Sequence, residues 1–272
     1  MAKTFDQVLS LSGEENADRQ FVTALARGLE VLRTFGPEDG PLGNAEIAER
    51  TGLPKPTVSR LTHTLTILGY LEYYPRLAKY ALGPSVLALG HACRSAIAIR
   101  HVARPHMQSL ADDADAVVAL GARDRLSMIY LEHCRSSATV AFRLDVGARV
   151  PLHKSAMGMA YLHALPARER DVLLSAIRAR EPDEWTETQE RLAQAFEDID
   201  RHGFCITLGV FVRSMHAVAT PLVAGDSGAF ALSCTGPSFA FPKEKLYAET
   251  GPRLLAVADA IKADAGVGAT PA

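Results

Sequence analysis

Five polar side chains with DNA-binding chemistry cluster at the start of one short helical pattern. From Val58 onward, apolar residues recur at spacings of three, four and three before Gly69, which is the period of an amphipathic helix. The polar residues lie at the entry of this helix or on its other side: Lys55, Thr57, Ser59, Arg60 and His63. An arginine can bind guanine O6 and N7 with two hydrogen bonds, whereas lysine and hydroxyl side chains suit phosphates. The pattern predicts a recognition helix in the major groove of double-stranded DNA, with Arg60 reading a base.

Two further helices and a hairpin must position that recognition helix, and the sequence predicts all three. Apolar residues at helical spacing over 21–32 predict a first helix, and Asn44 is a suitable N-cap for a second helix that ends at Gly52. After the recognition helix, two strand patterns flank a short turn and predict a β-hairpin. Arg76 and Lys79 in this hairpin are candidates for backbone or minor-groove contacts. Three helices and this wing predict a winged helix-turn-helix domain.

The overall composition provides no electrostatic attraction to a polyanion. Lys plus Arg total 29 against 31 Asp plus Glu, a formal charge of -2, and the segment 21–85 has seven basic against six acidic residues. DNA binding must therefore come from a local surface, and we expect several such domains to act together. With 272 residues, 48% of them apolar, the chain can bury the cores of about two domains.

Neither a membrane span nor a secretory signal is predicted. The longest apolar runs are far shorter than the roughly 18 residues of a spanning helix, and the N-terminus lacks a basic start followed by an apolar stretch. The four cysteines form no Cys-x-x-Cys pair, which indicates reduced thiols rather than a disulfide frame or a zinc site. We therefore expect a cytoplasmic protein with no membrane partner, no metal and no cofactor.

Beyond the first domain the pattern becomes α/β. An Ala- and Leu-rich stretch predicts a linker helix, after which strand patterns over 117–121, 128–132 and 139–142 alternate with helical patterns. Later patterns predict a helix over 189–202, a hairpin of 216–223 with 229–234, and a final helix over 242–265. The predicted organisation is a flexible tail, a winged helix-turn-helix domain, a linker helix and an α/β domain, over 1–19, 20–83, 84–103 and 104–272.

Motifs in both domains carry a resemblance to one family. The first domain of this chain resembles the DNA-binding domain of the isocitrate lyase regulator (IclR) family of bacterial transcription factors in three segments: FVTALARGLEVLRTFG, AEIAERTGLPKPTVSRLTHTLTILGYL and YALGPSVLALG. The second domain of this chain is similar to the effector-binding domain of the same family in four segments that occur in the same order: GARVPLHKSAMGMAYLHALP, HGFCITLG, HAVATPL and ALSCTGPSFAF. The resemblance spans about residues 21–262. It implies an α+β fold with a winged head, a linker helix and a GAF-like α/β domain built on an antiparallel sheet. It also implies a ligand-responsive regulator of a catabolic operon, which binds double-stranded operator DNA as a homodimer or homotetramer.

The same resemblance implies an effector pocket. In the family this pocket is built from a backbone turn, an acidic position, a cysteine and two hydroxyls. The corresponding positions here are Ala156, Met157, Thr207, Ala217, Ser233 and Thr235. Three departures make the pocket less polar: Met159 stands where the family usually has Lys, Thr207-Leu208 replaces an acidic pair, and Ala217 replaces the thiol. These departures predict an effector with an apolar or aromatic body and a polar end, such as an aromatic acid.

Two other classes of protein remain as alternatives, and three polar residues remain unassigned. The segment 225–228, Gly-Asp-Ser-Gly, is similar to the nucleophile segment of chymotrypsin-like serine proteases, but it lies between two strand patterns as a tight turn does. A metal sensor needs clustered ligands, and His101 with His106 is the one close His pair of note. The sequence therefore favours a regulator over a hydrolytic enzyme. It leaves open whether the effector is contacted by His153, Arg213 or His216.

Overall fold

A computed structural model describes residues 21–136, 145–223 and 228–265 of the chain. These residues form two compact units that divide between Ala96 and Ile97, and we call them the head and the body. The strand predicted over 139–142 lies outside the described residues.

The head consists of helices and one hairpin. Its elements in chain order are α1 (Thr23–Arg33), α2 (Asn44–Thr51), α3 (Lys55–Ile67), β1 (Leu71–Tyr74), β2 (Lys79–Leu82) and α4 (Pro84–Ala96). The two strands pair antiparallel. A buried apolar cluster from α1, α2, α3 and β1 holds them together: Val31, Leu42, Ile47, Leu53, Val58, Leu65 and Leu71. The predicted winged helix-turn-helix fold is confirmed.

Two details of the head differ from the sequence prediction. Gly43, and not Asn44, is the N-cap of α2, and the Glu46 side chain accepts a hydrogen bond from the Gly43 amide at 2.7 Å. The Asn44 side chain instead accepts a hydrogen bond from the Thr62 hydroxyl of α3 at 3.1 Å. Leu68 is the last apolar residue of the pattern that begins at Val58 and belongs to the face predicted to be buried, but α3 ends one residue before it and the side chain is 58% exposed. Thr62 is fully buried in the same helix, and its hydroxyl oxygen also lies 3.0 Å from the Val58 carbonyl oxygen.

The body is a six-stranded antiparallel sheet with helices on both faces. Its strands are β3 (Val117–Asp124), β4 (Ser127–Arg135), β5 (Arg149–Pro151), β6 (Cys205–Leu208), β7 (Met215–Val223) and β8 (Ala229–Pro237). Its helices are α5 (Ile99–Ala114), α6 (Ala156–Ala164), α7 (Ala167–Arg180), α8 (Trp185–His202), α9 (Lys243–Lys245) and α10 (Gly251–Asp264). The strand order is β5-β4-β3-β8-β7-β6. The predicted α/β domain with an antiparallel sheet is confirmed.

Two helices, α4 and α5, replace the single linker helix that the sequence predicted over 84–103. The first ends at Ala96, and α5 runs from Ile99 well beyond that range. Ala103, Met107 and Leu110 of α5 are buried in the main core of the body. This apolar face makes α5 part of the body. The boundary between head and body therefore lies within the linker predicted over 84–103.

The two faces of the sheet are covered by different helices. Helices α5 and α10 bury one face through a core that includes Leu120, Cys134 and Leu254. Gly121 follows Leu120 in β3, so it faces the other way, where it lies against Met157 of α6. The α6 side of the sheet is therefore a separate layer, in which α6 packs against β3, β4, β6, β7 and β8.

A β-bulge in β4 changes which face its side chains reach. Leu120 pairs with Glu132, and the next residue, Gly121, pairs with Tyr130, so Leu131 is an extra residue in β4. Paired residues lie on the same face of a sheet. Tyr130 therefore faces α6, whereas Glu132 faces α5.

The Glu132 carboxylate is buried between two arginines of α5. Arg100 donates to one carboxylate oxygen at 2.8 and 2.6 Å, and Arg104 donates to the other oxygen at 2.8 Å. The Glu132 and Arg100 side chains are both buried. Since an unpaired buried charge destabilises a fold strongly, these contacts are what permits an acid at this position.

Candidate functional site

The residues predicted to contact DNA lie on α3 and on the hairpin. Lys55, Ser59, Arg60 and His63 of α3 are exposed, and Thr57 is half-buried. Within the described residues, the Arg60 guanidinium forms no hydrogen bond or ion pair. Its five donors are therefore available to a ligand, which suits contacts with a base edge or a phosphate.

The two basic residues of the wing have different surroundings. Arg76 is exposed in the turn between β1 and β2. Lys79 is half-buried on β2 and forms an ion pair with Glu46 of α2 at 3.0 Å. The pKa of Glu46 is lowered, first by the Gly43 amide and then by Lys79. The structure thus gives Lys79 a part in holding the wing against α2.

A polar contact also fixes the approach to α2. Arg50 donates two hydrogen bonds to the carboxylate of Asp39, at 2.5 and 2.9 Å, and one to the Thr34 carbonyl at 2.9 Å. The hydrogen bonds from Arg50, helped by the Gly36 amide, lower the pKa of Asp39 to about 2. This contact ties the loop after α1 to α2.

All six residues predicted for the effector pocket line one cavity of the body. The cavity has a volume of about 50 Å³ and lies on the α6 side of the sheet. The predicted residues in its wall are Ala156, Met157, Thr207, Ala217, Ser233 and Thr235. They come from α6, β6, β7 and β8, which are far apart in the sequence. Contact with an effector stays a prediction.

The cavity wall also includes residues that sequence reasoning missed. Tyr130 of β4 lies in the wall, as does a run of apolar residues in the loop after β6: Val210, Phe211 and Val212. Phe211 is 44% exposed, which places it at the rim. The apolar loop residues are visible in the sequence as the end of the segment HGFCITLGVFV. Their place in the cavity wall follows only from the pairing of β6 with β7.

The polar groups of the wall are neutral. Burial raises the pKa of Tyr130 to about 12, although a hydrogen bond with Ser233 opposes this shift, so the phenol keeps its proton. The hydroxyls of Thr207, Ser233 and Thr235 are on buried residues. Among the described residues, no charged side chain lines the cavity. A polar ligand there meets hydroxyls and backbone dipoles.

The N-terminus of α6 supplies those backbone dipoles. Ser155 is the N-cap: its side chain accepts a hydrogen bond from the Gly158 amide at 3.1 Å and donates one to the Pro151 carbonyl at 2.7 Å. Within the described part of the chain, the amides of Ala156 and Met157 have no hydrogen-bond acceptor. Free amides at a helix N-terminus favour an anion.

None of the three polar residues left unassigned lines the cavity. His153 is buried in the turn between β5 and α6, and its Nε2 lies 3.0 Å from Glu181 Oε2. Burial lowers the pKa of His153, while the contact with Glu181 acts in the opposite direction. The Nδ1 of His216 donates to the Phe241 carbonyl at 2.8 Å, and Arg213 is exposed. The geometry thus gives two of the three a structural partner within the protein.

Neither the protease-like segment nor a metal site gains support from the described residues. Residues 225–227 of the Gly-Asp-Ser-Gly segment lie outside the described residues. Across the described ranges, no group of three or more His, Cys, Asp or Glu residues could hold a metal ion. His106 lies 2.8 Å from Asp264, at the end of α10. A search of the described residues for a helix long and apolar enough to cross a membrane finds none.

Comparisons with known proteins match both units. A family model described as the IclR helix-turn-helix domain matches residues 24–75, and one described as bacterial transcriptional regulator IclR C-terminal matches residues 91–263. The HTH-type transcriptional regulator TsaQ1/TsaQ2 of Comamonas testosteroni is 37% identical over 246 residues, which cover 89% of this chain and 88% of that protein.

Two solved structures are similar over almost the whole chain. An IclR family transcriptional regulator from Brucella abortus has a TM-score of 0.87 and 48% identity, covering 92% of this chain and 95% of that one. An IclR homologue from Microbacterium hydrocarbonoxydans, crystallised with 4-hydroxybenzoate, has a TM-score of 0.70 and 24% identity, covering 90% and 99%. At the lower identity the likeness shows a shared fold.

Proposed function

Because this chain belongs to the IclR family of bacterial transcriptional regulators, we propose that it controls a catabolic operon by binding operator DNA through its head and a small aromatic acid through its body. One observation carries the effector part of this proposal. Six residues from four separate elements line a single cavity that ends at the amides of a helix N-terminus. A cavity with apolar walls and a few placed polar groups is typical of a small-molecule site.

The polar end of the ligand lies at the N-terminus of α6 in this proposal. A carboxylate there accepts hydrogen bonds from the amides of Ala156 and Met157 and from the hydroxyls of Ser233 and Thr235. The apolar body of the ligand then lies against the aromatic wall residue Tyr130. The complex of the Microbacterium hydrocarbonoxydans homologue with 4-hydroxybenzoate supports an acid of this class.

The DNA contacts divide between base and backbone. We assign Arg60 to a guanine, because its guanidinium is at the exposed side of α3 and has no partner among the residues that the structure describes. The remaining predicted contacts on α3 go to phosphates: Lys55, Thr57, Ser59 and His63. Arg76 of the wing reaches the backbone or the minor groove. Lys79 contributes less, since its ammonium group is paired with Glu46.

A dimer formed through the heads explains an apolar surface that the fold leaves exposed. Helices α1, α3 and α4 enclose a groove of about 300 Å³ on the head, with Leu25, Leu29, Leu68 and Leu89 in its wall. All four of these side chains are exposed. A second head that covers this groove places two recognition helices on the symmetric half-sites of an operator. A homotetramer then forms by pairing of two such dimers.

Footprinting and calorimetry test the two halves of this function. We expect protection of a palindromic or repeated site in the promoter of its own or an adjacent operon, at a concentration that leaves random duplex unbound at physiological salt. We also expect benzoate or a hydroxybenzoate to bind with higher affinity than pyruvate or glyoxylate. Equal affinity for promoter and random duplex would contradict the regulator. Tight binding of the short oxo-acids alone would contradict the aromatic effector.

A further inference from the structure

The cavity is smaller than the aromatic ligand that its chemistry favours. Its volume is about 50 Å³, whereas a closed apolar cavity that binds benzene measures roughly 150 Å³. Burial of an aromatic ring in this cavity therefore requires a wall that moves when the ring enters. This requirement rests on the proposed effector function.

Most of the wall is held in place by the sheet. Ala217, Ser233 and Thr235 lie on β7 and β8, which pair along nine residues each. Tyr130 is buried and hydrogen-bonded to Ser233. Met157 lies on α6 and not in the sheet, and its unbranched thioether has three rotatable bonds and adapts its shape to the space available.

Met157 rests over a gap in the sheet that Gly121 creates. A methyl group on Gly121 would lie 2.3 Å from Met157 Sδ and 3.2 Å from the Ile129 carbonyl oxygen. The thioether therefore occupies the place of a side chain at position 121. The backbone of Gly121 is in an ordinary conformation for any residue, since it is absent from the glycines with positive φ. What matters at this position is the lack of a Cβ.

We propose that the gap over Gly121 is the subsite for the aromatic ring of the effector, and that the Met157 side chain fills this subsite until the ring displaces it. Met157 is thus the residue that determines which ring sizes the site accepts. The displaced thioether stays beside the ring, where sulfur and aromatic groups attract each other. Glycine at position 121 leaves room for both the thioether and the ring, whereas a side chain there would take up part of the subsite.

Benzene tests the subsite without reference to the natural effector. In the full-length protein, Met157→Ala should bind benzene, detected as a rise in the melting temperature in benzene-saturated buffer, and the unmodified protein should show a smaller rise because benzene must displace the thioether. Adding Gly121→Val should remove the response. Met159→Ala is the matched control, since Met159 is buried in the same helix but does not line the cavity. Gly121→Val should leave any benzene response of Met159→Ala unchanged.

Benzoate titrations test whether Met157 and Gly121 act through each other. Gly121→Ala should weaken benzoate binding by about tenfold, the scale expected for one methyl group in a tight apolar pocket. In the Met157→Ala background, the same change should weaken binding by less than about threefold, because the space that the thioether leaves is large enough for one methyl group beside the ring. An equal loss in both backgrounds, or a Met157→Ala protein that does not respond to benzene, would overturn the proposal. If benzene binds Met157→Ala and no aromatic acid binds the unmodified protein, the subsite stands and the effector assignment is wrong.

Discussion

The head and the body of this regulator present their candidate sites in opposite ways. The head displays its DNA-contact residues on the exposed side of one short helix, α3, over nine consecutive positions from Lys55 to His63. The body instead gathers its cavity from strands and a helix that span residues 130 to 235. A site on one helix depends on local periodicity, whereas a site between layers depends on the whole fold.

Substitutions at the two sites should also differ in their effect on stability. Exposed side chains of α3 can be changed without altering the core of the head, so their variants report on binding. In the body, wall residues also pack in the core, and most substitutions there change stability and binding together. The predictions below test whether the two regions respond as separately as this comparison requires.

The largest effect is expected from crowding the backbone of the body. A methyl group on Gly158 of α6 would lie 2.2 Å from the Leu152 carbonyl oxygen and 2.4 Å from the Leu152 Cα, which are backbone atoms of the residue that follows β5. Gly158→Ala should therefore lower the free energy of unfolding of the body by about 3 kcal/mol. Urea denaturation combined with amide hydrogen exchange measures this loss and its location.

A glycine in a helix of the head is the matched control for that experiment. Gly90 of α4 has open space around the position of a Cβ. Gly90→Ala should raise stability by up to about 1 kcal/mol, since alanine favours a helix. If Gly158→Ala reduced the exchange protection of head and body amides equally, the two regions would unfold as one unit and the comparison would be wrong.

Filling the cavity should separate ligand response from DNA binding. Ala217→Phe places a ring in a cavity of about 50 Å³, and we expect benzoate affinity to fall about 100-fold, or ~2.7 kcal/mol. Operator affinity without ligand should change by less than about twofold. Val223→Phe, at an exposed position on the same strand, is the control and should leave both affinities intact. An Ala217→Phe protein that still binds benzoate would place the effector elsewhere.

Removing the base contact should affect the head alone. Arg60→Ala should weaken operator binding by roughly 1 to 3 kcal/mol and relax the preference at one base position, as expected when two hydrogen bonds to guanine are lost. Quantitative gel shifts on operators with single-base changes measure both quantities. Unchanged operator affinity would exclude Arg60 from the contacts, and changed benzoate affinity would contradict the independence of the two regions.

A phosphate contact should behave differently from the base contact. Lys55→Ala should weaken binding to operator and random duplex about equally, and it should reduce the slope of log affinity against log salt by about one unit. Gel shifts at several salt concentrations give this slope. A loss confined to the operator would show that Lys55 reads sequence.

The smallest effect concerns pH and belongs to the body. Burial lowers the pKa of His153 below its ordinary 6.5, with Glu181 opposing the shift and Lys154 and Arg191 adding to it. The unfolded chain then binds a proton more readily, so the stability from His153 is present above about pH 6.5 and is lost as pH falls. Urea midpoints between about pH 7.5 and about pH 5 should fall less steeply for His153→Gln. An unchanged slope would mean that other groups titrate.

The contrast between the regions also explains what the sequence could predict. The amphipathic period of α3 determined which of its residues face outward, and exposure of Arg60 followed from that period alone. The cavity residues were found only through motif resemblance, and Tyr130 was missed because a bulge, which no local pattern announces, sets the face it reaches. The division of the linker into α4 and α5 was missed as well, because both halves have helical composition and only packing against the sheet separates them.

The extra residue in β4 keeps a negative charge out of the ligand site. Tyr130 and Glu132 are two positions apart, and strict alternation along a strand would place both on the same side. The same residues in a strand without the bulge would thus bring either a carboxylate to the cavity or a phenol to the arginines of α5. An acid in the cavity wall would repel the anion that the α6 amides favour. The bulge reverses the alternation of side chains along β4, and this reversal, rather than any residue type, allows the site to bind acids.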